Sequence, residues 1–508
     1  MADAQVLAAA LSLDKSVLVI GAGTMGCGIV EVAASAGHRV YLRDTSTAAL
    51  DRGLQQIYAS LDKRVARGKL DSTARDAILA RIEAVEPGVG LRDVGLVIEV
   101  IVENIDIKAT VLKQIEAEVA PDAIIASNTS SLSITAIAGR LARPERVVGM
   151  HFFNPATILP LVEVVSGHAT DPAVAQTIVA TAKAWGKSPV ACRSTPGFIV
   201  NRVARPFYGE GLRVLLEQAA TPATLDAVMR ESGGFKMGPC ELMDLIGHDV
   251  NHAVTQSVYH AFFDDPRYRP SLIQQDLVDA GWFGRKSGRG FFDYRPDAES
   301  PQVDQVALFG PPPSHVTLGE AAMPGLTALL EAQAELTIEH CEGDICYVDG
   351  FAFAVTDGRT AAERSAEAGE PVVLVDLASD YATCTRVAIA APASATAVHV
   401  DRVAALFAKL GKRVTLMGDT PGMAVARTVA MLVNEAADAV LQGVAAEADI
   451  DVAMIKGVNY PLGPMAWGRR VGFGFVARVL RHLALAYGED RYRVSLWLQR
   501  EVHGACHG

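Results

Sequence analysis

The stretch SVLVIGAGTMGCGIVEVAASAGHRVYLRD, residues 16 to 44, constrains this chain more than any other. Val17 to Ile20 form an apolar, β-branched run that reads as a buried parallel strand. Gly21, Gly23 and Gly26 follow as G-x-G-x-x-G and open a helical pattern. The first glycine permits a tight turn, the second lets backbone approach a pyrophosphate, and the third allows close packing of helix on strand. A second strand, Arg39 to Arg43, ends at Asp44, which lies 23 residues past Gly21. A carboxylate there bonds ribose hydroxyls and repels a 2′-phosphate, which favours NAD over NADP. Glycine-rich turns alone are common. The order strand, glycines, helix, strand, acid is what points to dinucleotide binding.

Length and composition bound the rest. The chain has 508 residues, half of them apolar and 20% charged, which suggests three or four globular domains. A net charge of −12 argues against a general nucleic-acid or anionic-membrane surface. The apolar run VGLVIEVIV is broken by a carboxylate and is far shorter than the ~20 residues of a membrane span. The amino-terminal stretch MADAQVLAAALSLDKSVLVI lacks a basic region, so no secretory signal is expected. Seven scattered cysteines make neither a disulfide framework nor a zinc spacing, so no metal and a reducing cytoplasm are expected.

Residues 46 to 85 read as a helical excursion that carries Lys63, Arg64, Arg67 and Lys69. This charge is either a solvated helix face or an anchor for phosphates on a substrate. DVGLVIEVIVENIDIK reads as a strand ending near Glu103, and AIIASNTSSLSITAIA as a strand, a polar turn and a helix. The alternation implies a doubly wound parallel sheet. Such sheets bind ligands outside the carboxyl ends of their strands. The turn SNTSS and His151 of HFFNP both fall at such ends. Ser130 and Ser131 also suit a capping role for the next helix. Glu163, an acid within the apolar LVEVV, needs a buried partner, and His151 is a natural one.

GAGTMGCGI, SNTSSL, HFFNP, LVEVV and TPGFIVNR occur in the order and at the spacings of the 3-hydroxyacyl-CoA dehydrogenase family. The chain resembles that family over residues 15 to 295. The resemblance implies NAD-dependent oxidation of (S)-3-hydroxyacyl-CoA to 3-oxoacyl-CoA. It implies that His151 is the general base and that Glu163 orients it. Ser130 would bond the reacting oxygen, and Asn201 would hold substrate near the thioester. Gly21, Gly23, Thr24, Met25, Gly26, Asp44, Glu103, Lys108 and Asn154 would bind the cofactor, and Lys63 would meet coenzyme A.

TPGFIVNRVARPFYGEGLRVLLEQ, from Thr195, recurs as TPGMAVARTVAMLVNEAADAVLQG, from Thr420, an offset of 225 residues. The same offset sets RVVGMHFFNPAT against PVVLVDLASDYA. Where the first half has His151, Asn154, Glu163 and Asn201, the second has Asp376, Ser379, Ala388 and Ala426. Apolar positions are kept while the polar ones are replaced together, which favours a chemical role for His151 over a packing one. The second copy also lacks a glycine fingerprint, so it is expected to bind no NAD. The expected organisation is a doubly wound Rossmann domain (1–192), an all-helical domain (193–295), a proline-rich linker (296–314), a truncated, degenerate α/β segment (315–418) and a second all-helical domain (419–508). Single-copy relatives resemble dimers joined through the helical domain, so the two helical copies are expected to form an internal pseudo-dimer.

The duplicated helical domain and the ending GEDRYRVSLWLQR resemble enzymes of bacterial phenylacetate breakdown that oxidise 3-hydroxyadipyl-CoA. Arg202, Arg205 and Lys236 are available for a distal carboxylate. The alternatives are 3-hydroxybutyryl-CoA, a free 3-hydroxy acid, and a non-catalytic NAD-binding protein.

Overall fold

The computed structural model describes residues 9–86 and 91–505. Residues 1–8, part of the stretch read as lacking a secretory signal, lie outside the described residues. Contacts divide the chain into two compact units. One comprises the residues through Arg202 together with Gln442–Val458, and the other Val203–Leu441 together with Asn459 onward.

The first unit is built on eight strands: β1 (Ser16–Ile20), β2 (Val40–Arg43), β3 (Ile82–Ala84), β4 (Val94–Glu99), β5 (Ile124–Ser127), β6 (Val147–Phe152), β7 (Leu161–Ser166) and β8 (Ser188–Arg193). Their order is β3-β2-β1-β4-β5-β6-β7-β8, as a doubly wound sheet requires. Every pair is parallel except β6 with β7. Val17, Leu18, Val19, Leu96, Val97 and Ile98 are fully buried, which matches the near-continuous apolar runs of strands covered on both faces. The excursion after β2 is two helices, Thr47–Ala66 and Ser72–Leu79, started by the side chains of Ser46 and Asp71. Strand β4 stops at Glu99, short of the expected Glu103, because the Glu99 carboxylate captures the Ile101 amide at 2.7 Å and turns the chain out of the sheet. The helix Glu447–Val458 also packs in this unit, where Gly457 lies against Leu161 and Val200.

The second unit holds most of both helical repeats and a seven-stranded sheet of β9 (His315–Gly319), β10 (Thr337–Cys341), β11 (Cys346–Val348), β12 (Phe351–Val355), β13 (Val372–Val375), β14 (Arg386–Ala390) and β15 (Arg413–Met417). Strands β12 to β15 pair parallel, antiparallel, parallel, as β5 to β8 do. The helix Ala397–Lys409 lies 225 residues after its counterpart Pro172–Ala184. Even the strained turn repeats: Phe198 has φ 49° and Met423 φ 50°. Between the repeats, residues 296–314 form neither helix nor strand. Asp304 anchors this segment by accepting a hydrogen bond from the Thr224 hydroxyl at 2.7 Å.

Reciprocal polar contacts join the helical repeats. Buried Glu210 accepts from Arg427 at 3.1 Å, from Arg491 at 3.0 Å and from the Tyr492 hydroxyl at 3.0 Å. Glu435, 225 residues later, accepts from Arg267 at 3.3 Å and from the Tyr268 hydroxyl at 2.6 Å. Removing one member of such a buried pair strands the other charge, at a cost of about 3–5 kcal/mol. Among the described residues no helix is long and apolar enough to cross a membrane.

Candidate active site

Three groups of residues gather at the carboxyl ends of β1, β4, β5 and β6. The first is the glycine turn after β1. Gly21 has φ +113°, and a Cβ there would fall 2.6 Å from the Val100 carbonyl oxygen. A Cβ on Gly26 would fall 1.9 Å from the Gly21 oxygen, whereas Gly23 faces open space. The turn therefore presses tightly on the sheet and leaves its outer side, before the helix Thr24–Ser35 that carries Met25, bare for a ligand. The Asp44 carboxylate sits beside it and accepts from the Ala22 amide at 2.9 Å and the Ser46 amide at 3.0 Å. This cradle fits the pyrophosphate and ribose of NAD. Asn154 is exposed and lines a cavity of about 170 Å³ that Thr24 and Glu31 also line.

The second group surrounds Lys108, which is buried despite its charge. Its Nζ donates to Glu99 at 2.7 Å and to the Ile101 carbonyl at 3.2 Å, and it pairs with Glu103 at 3.3 Å. Glu103 also takes the Thr129 hydroxyl at 2.5 Å, the Ser130 and Ser131 amides at 3.1 Å, and the Ser131 hydroxyl at 2.8 Å. Burial works against its charge, but these hydroxyls and the Lys108 ammonium together hold its carboxyl below the ordinary glutamate range. Ser130 and Ser131 do not cap the following helix, which corrects that expectation: Ser133 does, accepting from the Ala136 amide. The reason is that Glu103 holds the turn two residues short of the cap position. The Asn201 amide nitrogen approaches the Ser130 carbonyl at 3.5 Å.

The third group is His151 with Glu163. The antiparallel pairing of β6 and β7 puts the two directly across from one another. The ring Nδ1 meets Glu163 Oε2 at 2.7 Å, and Glu163 is fully buried. With the carboxylate ionised and the ring neutral, Nδ1 donates to Glu163 and Nε2 is left with its lone pair. The other oxygen, Oε1, accepts from the Ile199 and Val200 amides at 3.0 and 2.9 Å. Rings of Phe153 and Phe198 flank the imidazole at 4.5 and 5.9 Å.

Other candidates are placed elsewhere. Lys63 is exposed on the helix Thr47–Ala66, and its neighbour Arg64 is bound to buried Glu31 at 2.7 Å. Arg202 donates to Gln442 at 2.9 Å, Lys236 is exposed, and Arg205 is buried with Nη1 on the Thr255 hydroxyl at 3.0 Å. Two site residues escaped the sequence reading, Glu99 and Thr129. Glu99 carried the same signal as Glu163, an acid inside an apolar strand.

In the second repeat, Asp376 stands at the His151 position. Its carboxylate accepts from the amides of Leu377, Ala424, Val425 and Ala426 at 2.8 to 3.0 Å. The start of the helix Ala361–Ala368 is closed by Asp419, which accepts from Ala361 and Ala362 at 2.6 and 2.9 Å.

A dinucleotide cradle and a carboxylate-backed imidazole on one edge of one sheet define a nicotinamide-dependent dehydrogenase. The family model described as 3-hydroxyacyl-CoA dehydrogenase, NAD binding domain, matches residues 16–195, and that of the C-terminal domain matches 197–294 and again 422–507. A 3-hydroxybutyryl-CoA dehydrogenase reduced Rossmann-fold domain matches residues 353–421. The chain belongs to the 3-hydroxyacyl-CoA dehydrogenase family, whose members are NAD-dependent oxidoreductases. It is 44% identical to a 3-hydroxyadipyl-CoA dehydrogenase of Escherichia coli K12 over 96% of this chain and 98% of that one. A crystal structure described as a 3-hydroxybutyryl-CoA dehydrogenase of E. coli K12 is 42% identical, with a TM-score of 0.89, and covers 98% of this chain and 100% of that one. An (S)-3-hydroxybutyryl-CoA dehydrogenase from Ralstonia eutropha is 39% identical with a TM-score of 0.54, and covers 56% of this chain and 100% of that one.

Proposed function

We propose that this chain oxidises (S)-3-hydroxyadipyl-CoA to 3-oxoadipyl-CoA in aromatic-acid breakdown, with one catalytic centre, in the first unit. The His151–Glu163 bond carries the reading. His151 Nε2 accepts the proton of the 3-hydroxyl as hydride departs from C3, and Glu163 steadies the imidazolium that forms. NAD, when bound, supplies the hydride acceptor. Ser130 and Asn201 hold the substrate oxygen and the thioester. Gly21, Gly23, Thr24, Met25 and Gly26 receive the phosphates, Asp44 takes the adenine-side ribose, and Glu103, Lys108 and Asn154 line the nicotinamide side. Lys63 meets coenzyme A.

The adipyl substrate is supported by the full-length likeness to the E. coli 3-hydroxyadipyl-CoA dehydrogenase. The 3-hydroxybutyryl name on the similar crystal structure favours the shorter substrate instead. The reciprocal Glu210 and Glu435 contacts support an internal pseudo-dimer of helical repeats, within a division at 1–192, 193–295, 296–314, 315–418 and 419–508. The lack of a G-x-G-x-x-G turn in the sequence before Asp376 supports a single NAD per chain, and Asp376 at the His151 position supports a single catalytic centre. The unbridged Cys27, Cys192, Cys240, Cys341, Cys346 and Cys384 suit a cytoplasmic location. The test is initial rates with NADH across a panel of 3-oxoacyl-CoA thioesters. The adipyl thioester is expected to give the highest kcat/KM, and a butyryl value about tenfold above it overturns the assignment.

A further inference from the structure

We propose that buried Glu99 sets the charge beside the nicotinamide, so that the site favours the oxidised cofactor over the reduced one. This rests on the reading above that puts Glu103 and Lys108 on the nicotinamide side, and it gives a positioning role to a residue with no surface to offer either ligand. Glu99 is fully buried and Lys108 is 1% exposed, so solvent and salt screen them little. Glu99 Oε1 accepts from the Ile101 amide and from Lys108 Nζ, both at 2.7 Å, and Oε2 accepts from the Ser127 hydroxyl at 2.6 Å. All three partners are donors, as an ionised carboxylate requires. Lys108 also pairs with Glu103, at 3.3 Å. Two carboxylates thus share one ammonium, and one negative charge is left over.

Position gives that charge its effect. The segment that Glu99 holds lies against the glycine turn: a Cβ on Gly21 would fall 2.6 Å from the Val100 oxygen and 3.4 Å from the Ile101 nitrogen. At the other end of the group, Glu103 holds the Ser130 and Ser131 amides at 3.1 Å. The group therefore runs from the dinucleotide cradle to the turn assigned to the reacting oxygen, and a nicotinamide has to lie along it to reach the carbon that bears that oxygen. The ring of NAD+ carries a positive charge that NADH lacks. A leftover negative charge attracts the oxidised ring alone, and in a poorly screened site that attraction is worth about tenfold in affinity. Without the Glu99 charge, Lys108 and Glu103 form a neutral pair and the preference disappears.

Glu99→Gln removes the charge and keeps the bonds: its amide oxygen stays with Ile101 and Lys108, and its NH2 group donates to the Ser127 hydroxyl instead of accepting from it. The test is titration of the full chain with NADH, followed by its fluorescence, and with NAD+ by displacement of NADH. The ratio of the Kd for NAD+ to the Kd for NADH is expected to rise about tenfold in Glu99→Gln, with the thermal midpoint within a few degrees of the parent. A purely structural role would weaken both cofactors alike and leave the ratio unmoved. Glu103→Gln alters a side chain that is 38% exposed. It is expected to weaken both cofactors and to raise the same ratio, and it carries the test if Glu99→Gln does not fold. A ratio within about twofold of the parent in the folded variants overturns the proposal and leaves the cofactor assignment standing. A parent chain that binds neither cofactor overturns both.

Discussion

Glu163→Gln tests the proposed chemistry with the least steric change. Glu163 Oε1 serves two backbone amides, at 3.0 and 2.9 Å, and Oε2 serves His151. Glutamine has a single carbonyl oxygen. Turning it to the histidine would strand the Ile199 and Val200 amides in a buried site, at about 1–3 kcal/mol each. The oxygen therefore stays with the amides, and the NH2 group faces Nδ1. Nδ1 must then accept, so the ring proton moves to Nε2, the atom that has to receive the substrate proton. The lost charge-assisted bond to the imidazolium alone is worth about 1.5–3 kcal/mol, or roughly 10- to 10²-fold in rate. The wrong tautomer adds to this; the equivalent acid-to-amide change in a serine-protease triad costs about 10⁴. Turnover, followed by NADH absorbance, should fall between about 10² and 10⁴-fold. The KM for NAD should move by less than about threefold, and the thermal midpoint by only a few degrees, because the amides keep their acceptor. Turnover within about threefold of the parent enzyme, at an unchanged thermal midpoint, would refute the role of the carboxylate.

Four further outcomes follow from the geometry. Gly26→Ala forces backbone apart at the Gly21 oxygen and should lower both stability and NAD affinity, whereas Gly23→Ala, which meets nothing within 4 Å, should lower NAD affinity alone; calorimetry and thermal melts separate the two. Asp44→Asn removes the charge that repels a 2′-phosphate, so the NADP-to-NAD ratio of kcat/KM should rise about tenfold or more. The depressed pKa of Glu103 makes its stabilisation complete above the unfolded glutamate value of about 4.3, and that stabilisation is lost as pH falls through the folded value. Thermal melts should therefore show the gap between the parent and Glu103→Gln closing as the medium is acidified below pH 4. Equilibrium titration should give one NAD per chain, and a second NAD bound in the Asp376 half would contradict the proposal of a single centre.

What was legible in the sequence was local. The strand, glycine turn, helix and Asp44 lie within one run of residues, and the spacing itself dictates where the backbone must turn. Hydrogen bonds that join distant segments were not legible. Ser130 and Ser131 look like caps until Glu103, from the loop after β4, draws their amides away. Glu99 looks like a break in an apolar strand until buried Lys108 and the Ser127 hydroxyl meet it at 2.7 and 2.6 Å.

The two repeats show most directly why the histidine needed its structural context. Each has a turn whose amides, Ile199 and Val200 or Ala424 and Val425, point into a buried site and require a carboxylate. In the second repeat the acid stands at the end of the β6-equivalent strand, as Asp376, and fully buried Ala388 takes the place across from it. In the first repeat the acid stands on β7, as Glu163, and its spare oxygen faces the end of β6. The same structural demand is met twice, but only when the carboxylate sits on β7 is the β6 position free to hold an imidazole. On the proposed mechanism, the strand on which one acid lies leaves room for the catalytic imidazole in the first half and fills its place in the second.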